Sequence, residues 1–97
     1  GLVTGHRVLG LLAHPLGQLD RAITYFEDGL AFCRTGGCRP ELAWSTCDYA
    51  DCLLQRNGPD DRMKAMSLLD EALTISRELG MRPLMERILA RKEILEA

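Results

Sequence analysis

At 97 residues the chain makes one domain with room for a single hydrophobic core. Apolar residues make up 46% and charged residues 27%, and twelve basic side chains are scattered among fourteen acidic ones for a net charge of -2, which excludes the basic face that nucleic acid requires. No apolar run reaches the roughly 18–20 residues of a membrane span and no leader pattern opens the chain, so a cytoplasmic protein without a membrane or nucleic-acid partner is expected.

In chain order, the first predicted helix is "VTGHRVLGLLAHPLG", which starts at Val3 and stops at Pro15-Leu16-Gly17. The second carries Leu19, Ala22, Ile23, Phe26, Leu30 and Cys33 at three- and four-residue steps, which builds one apolar stripe. Gly37 ends it, because glycine enters the left-handed conformation at little cost. Pro40 opens the third helix, where its missing N–H is no loss. That helix sets Leu42, Thr46, Tyr49, Ala50 and Leu53 on one stripe and runs to Asn57-Gly58.

Asp60 and Asp61 open the fourth helix, where negative charge suits the helix dipole. Its stripe of Ala65, Leu68, Leu69, Ala72, Leu73 and Leu79, widened by Met66 and Ile75, implies packing on two neighbours. Gly80 ends it and Pro83 starts a fifth helix, with Leu84, Met85, Ile88 and Leu95 turned inward. Five helices, short connections and no strand give an all-α expectation. Both termini read as helix without caps, as if taken from a longer array.

The second and fourth helices are copies. "DRAITYFEDGLAFCRTGGCRP" lies over "MKAMSLLDEALTISRELGMRP" without a gap, offset by 43 residues. Ala22/Ala65, Leu30/Leu73, Arg34/Arg77, Gly37/Gly80, Arg39/Arg82 and Pro40/Pro83 are identical, and charge or size is kept at most positions between them. A repeat of this length points to stacked helix hairpins, an α-solenoid.

Little in the chain points to bond-making chemistry. The four cysteines fall as Cys33-x4-Cys38 and Cys47-x4-Cys52. Residues five apart on a helix diverge by roughly 140°, so Cys47 and Cys52 make a poor zinc pair, while Cys33 lies on an apolar stripe; the four read as reduced thiols, with no metal or other cofactor expected. His6 and His14 have no acidic or thiol partner nearby to make a ligand set or an oriented base. Asp48 and Asp51 read as charge on the solvated side of their helix. "TGGCRP" follows a helix and lacks the Lys-Ser/Thr of a phosphate-binding loop. A non-enzyme is expected.

Small residues at the helix crossings carry a resemblance. Leu9-Gly10, Gly17, Ala22, Phe26 and Gly29-Leu30 in the first unit, and Tyr49-Ala50, Gly58, Ala65, Leu69 and Ala72-Leu73 in the second, resemble the tetratricopeptide repeat. Gly10 to Ala22 spans the twelve residues of that family, whereas Ala50 to Ala65 spans fifteen, so "GPD" reads as an insertion in the turn. Both units exceed the family's standard of about 34 residues. The resemblance implies repeat 1 over about 3–37, repeat 2 over about 40–80 and a half repeat or capping helix over 83–97. "GQLDRAITYFEDGLAFC", "DYADCLL" and "LLDEALTISRELGM" further resemble the C-terminal helical arrays of bacterial signalling ATPase, cyclase or LuxR-type regulator proteins.

In such arrays the first helix of each hairpin lines a concave groove. Aligned on Gly10 and Ala50, the resemblance places Thr4, Arg7, Leu11 and His14 there in the first unit. It places Trp44, Cys47, Asp51, Leu54 and Gln55 there in the second, and Arg87 one repeat further on. Trp44 and Leu11 or Leu54 would supply apolar contacts, and Arg7, Asp51 and Arg87 would set orientation. The function implied is a protein–protein interaction scaffold that presents this groove to a peptide or protein. The alternatives are a self-associating module, and a regulatory segment of a larger bacterial signalling ATPase or transcription regulator.

Overall fold

The computed structural model describes residues 18–96. These residues form four helices and, among them, no strand: α1 (Leu19–Gly36), α2 (Arg39–Arg56), α3 (Asp61–Leu79) and α4 (Arg82–Glu96). The predicted helix that starts at Val3 lies outside the described residues. The four helices correspond to the second to fifth of the expected five.

The ends of α1 and α3 follow from local chemistry. Gly37 has φ 77° and Gly80 has φ 67°, both left-handed. At the first joint the Gly37 N–H donates to the Cys33 carbonyl at 3.0 Å. At the second, the Met81 N–H donates to the Ser76 carbonyl at 2.8 Å and the Gly80 N–H to the Arg77 carbonyl at 3.3 Å. These bonds satisfy carbonyls that the helix itself leaves open. Arg39-Pro40 and Arg82-Pro83 then begin α2 and α4. The turn between α2 and α3 uses Asn57 instead, at φ 53°, since asparagine tolerates the left-handed region.

Each helix packs against the one before it, most extensively α3 against α2. Ala22, Phe26 and Leu30 from α1, Tyr49, Ala50 and Leu53 from α2, Leu69 and Ala72 from α3, and Leu84 and Ile88 from α4 share one core. The Phe26 and Tyr49 rings lie near parallel, at an interplanar angle of 9° and 6.2 Å between centroids. Ala22, Ala43, Ala50, Ala65 and Ala72 are wholly buried, so helix backbones approach closely at these small residues.

Two long-range contacts add a second level to this hairpin packing. Arg34 on α1 donates to both Glu71 oxygens on α3, from Nη2 at 2.7 Å and from Nε at 3.3 Å. Arg87 and Arg91 on α4 reach Asp48 and Asp51 on α2. α1 therefore touches α3, and α2 touches α4. With neighbours on several sides, α2 buries Ser45, Thr46, Cys47, Asp48 and Cys52 besides its apolar stripe. The Thr46 hydroxyl donates to the Leu42 and Ala43 carbonyls at 2.9 and 3.0 Å, which satisfies it inside the core.

Two sequence expectations change here. Leu79, expected inside, is 43% exposed, because it sits at the last residue of α3 beyond the packed region. Asp48, expected on the solvated side, is only 3% exposed and takes an ion pair from Arg87 of α4. Cys38 and Met81 occupy equivalent places and both pack against the core as plugs of the two joints.

Candidate functional site

The described part of the expected groove lies on α2 and α4. Trp44, Cys47, Asp51, Leu54 and Gln55 recur at three- and four-residue steps and so share one face of α2. Their environments diverge. Cys47 is wholly buried, and burial pushes its thiol up to about 11. Trp44 and Leu54 are half-buried against the core, and Gln55 is exposed. The stripe therefore offers an aromatic, an aliphatic and an amide group at its surface. Thr4, Arg7, Leu11 and His14 lie outside the described residues.

Asp51 and Arg87 come together directly. One Arg87 nitrogen donates to Asp48 Oδ1 at 2.9 Å and to Asp51 Oδ2 at 2.8 Å. The Arg91 Nε donates to the other Asp51 oxygen, Oδ1, at 2.9 Å. Two carboxylates three residues apart on α2 thus face two guanidinium groups four residues apart on α4, one helical turn each. Burial works against the charge on Arg87, but its hydrogen bonds to Asp51 and Asp48 help outweigh it and hold the pKa above its ordinary value. The four side chains form one ion-pair cluster across the two helices. It holds α2 and α4 in register and leaves only part of Asp51, Arg87 and Arg91 open to solvent.

Asp48 and Arg91 were missing from the sequence-based site. Their signal was present: the pattern Asp-x2-Asp on one helix and Arg-x3-Arg on a later one puts opposite charges on matching faces. Choosing between pairing and solvation required knowing that these faces meet.

A second polar cluster sets the turn between α2 and α3. Arg56 donates to both Asp61 oxygens at 2.7 Å and to Asp20 on α1 at 3.0 Å. The Gly58 N–H also donates to Asp61, at 2.8 Å. Arg56 first and the Gly58 N–H second hold the Asp61 carboxyl down at about 2. A Cβ at Gly58 would stand 2.9 Å from the Asp61 Oδ2, so this glycine is required by close approach. The Gly58-Pro59-Asp60 turn thereby wraps the Asp61 carboxylate.

Two open clefts remain. One, of about 460 Å³, is lined by Cys33, Arg34, Gly37, Arg39, Leu42, Glu71, Thr74 and Ile75, where α1, α3 and the start of α2 converge. The other, of about 590 Å³, is lined by Leu73, Arg77, Leu89, Lys92, Glu93 and Glu96 between α3 and α4. Among the described residues, no group of three or more His, Cys, Asp or Glu side chains could hold a metal ion. No helix of the described residues is long and apolar enough to cross a membrane. Compared with known proteins, the chain matches no family model, no curated protein and no solved structure.

Proposed function

We propose that the chain is a tetratricopeptide-like repeat segment that binds a peptide or protein along the α2–α4 face. The observation that carries this reading is the pinning of α2 beside α4 by Asp48, Asp51, Arg87 and Arg91. The two helices follow equivalent joints 43 residues apart, so they stand as like members of successive hairpins. A layer held in this way presents Trp44, Leu54 and Gln55 from a rigid support, and a pre-organised surface loses less entropy on binding. Trp44 is the hot-spot candidate: a large ring packed against the core and half-open at the surface. The half-open edges of Arg87 and Asp51 orient the ligand backbone or its charged side chains.

The test is selection of peptides from a displayed random library on the full chain, followed by titration through Trp44 fluorescence for the parent chain and by calorimetry for the parent and its variants. Peptides that bind this face shift the emission, and Trp44→Ala weakens them by about tenfold or more while helicity stays constant. Selected peptides whose affinity ignores both Trp44→Ala and Leu54→Ala would overturn the assignment.

A second reading, self-association, has its own observation. Leu89 and Ile94 on α4 are 45% and 69% exposed, two large apolar side chains open to solvent on one helix. Light scattering across a concentration series separates the two readings. A concentration-dependent dimer abolished by Ile94→Glu supports association, and a strict monomer removes it.

A further inference from the structure

We propose that Cys33 and Cys38 form a redox couple whose disulfide staples the joint between α1 and α2. The local backbone makes the pair. Cys33 is the residue whose carbonyl accepts the capping bond from left-handed Gly37, and Cys38 follows that glycine directly. Both thiols therefore flank one turn, five residues apart. At the second joint the corresponding positions are Ser76 and Met81, there joined by the Met81 N–H to Ser76 carbonyl bond. The first joint places a thiol at both positions.

Side-chain placement agrees. The Cys38 sulfur lies back over the last turn of α1, 3.9 Å from where a Gly36 Cβ would stand. Both cysteines belong to the same apolar cluster, Cys33 buried and Cys38 half-buried. Burial and then the neighbouring Cys38 push the Cys33 thiol up to about 11. Cys47 and Cys52 share none of this. They are buried at adjacent turns of α2, five residues apart and directed away from each other.

The accessible thiol is Cys38, and a small-molecule disulfide such as oxidised glutathione is the oxidant. The Cys38 thiolate attacks one glutathione sulfur, the glutathione S–S bond breaks, and one glutathione leaves and takes up a proton. Cys33 then loses its proton to solvent and attacks the Cys38 sulfur of the mixed disulfide. The new S–S bond forms as the second glutathione departs as a thiol. Two protein thiols have lost two hydrogens, and one glutathione disulfide has become two thiols. The product ties the last turn of α1 to the first turn of α2 beside the cleft of Arg34, Arg39 and Glu71, and so fixes how the two helices meet.

The experiment equilibrates the full chain in glutathione buffers of rising oxidised fraction, quenches with acid, alkylates under denaturing conditions and maps tryptic peptides by mass. Trypsin cuts after Arg34, so the bridged product is a pair of peptides joined through Cys33 and Cys38. The expected result is loss of alkylation at both of these cysteines together, with Cys47 and Cys52 still alkylated. Cys33→Ala is expected to stop the reaction at a glutathione adduct on Cys38. Ser76→Cys with Met81→Cys is expected to give the second joint the same behaviour, which tests the geometry without touching Cys33. A glutathione adduct on Cys38 that persists in the parent chain, or bridging that involves Cys47 or Cys52 instead, would overturn the proposal.

Discussion

Arg87→Met removes the cation at the centre of the α2–α4 cluster and keeps the aliphatic stem that packs beneath it. Asp48 then loses its Arg87 contact at a position only 3% exposed, and Asp51 keeps Arg91. Breaking a fully buried ion pair costs about 3–5 kcal/mol, because its charges are desolvated. The Arg87 side chain is 31% exposed, so solvent screens part of that charge, and about 2 kcal/mol is the expected loss. For a domain of this size that lowers Tm by roughly 8–16 °C. Urea denaturation followed by far-ultraviolet circular dichroism reads the change as a lower midpoint at unchanged slope. Asp48→Asn alone and with Arg87→Met completes a double-mutant cycle, and a coupling of about 1–3 kcal/mol is expected. By contrast Arg91→Met, whose partner retains Arg87, should cost under about 1 kcal/mol. A change within about 0.5 kcal/mol for Arg87→Met would refute the claim that this cluster holds α2 to α4.

Gly37→Ala and Gly80→Ala should each cost about 1 kcal/mol, since nothing lies within 4 Å of the added methyl groups and only the left-handed backbone resists them. Equal midpoint shifts in urea would mark the two joints as equivalent, and a loss at only one would refute that. Acid sensitivity should depend on Asp61. Its folded pKa of about 2 lies below the ordinary value of about 3.9, so its contribution is complete above that value and disappears as the pH falls towards 2. Asp61→Asn should therefore flatten stability against pH between about 5 and 2, read from urea midpoints at successive pH values. An unchanged acid slope would show that Arg56 and the Gly58 N–H do not favour the charged carboxylate.

Much of the local architecture was legible in the residues themselves. Gly37, Gly80, Pro40 and Pro83 mark helix ends through backbone sterics that need no distant partner, and the structure places them at those ends. Apolar spacing identified nearly all the inward residues of α1, because a helix with neighbours along one side obeys its own 3.6-residue period. The same reasoning fell short on α2. Three packed sides erase the distinction between a core stripe and a polar one, so Asp48 and Cys47 were placed near solvent and lie buried. Arg56 and Asp61 gave no signal either, since a turn that wraps a carboxylate is visible only when Gly58 and Asp61 are seen in contact.

By itself, the sequence determined where helices start and stop, that a 43-residue unit recurs, and which small and apolar residues could let helices meet. Each of these depends on backbone conformation or on periodicity within one segment. Only the tertiary structure decided that Asp48 and Asp51 meet Arg87 and Arg91, and that Arg34 meets Glu71. Those partners lie between 36 and 40 residues apart, and a charge on a helix looks the same in sequence whether it faces water or another helix. The choice is made by which faces the core brings together, because burial raises the cost of an unpaired charge far above its cost in solvent.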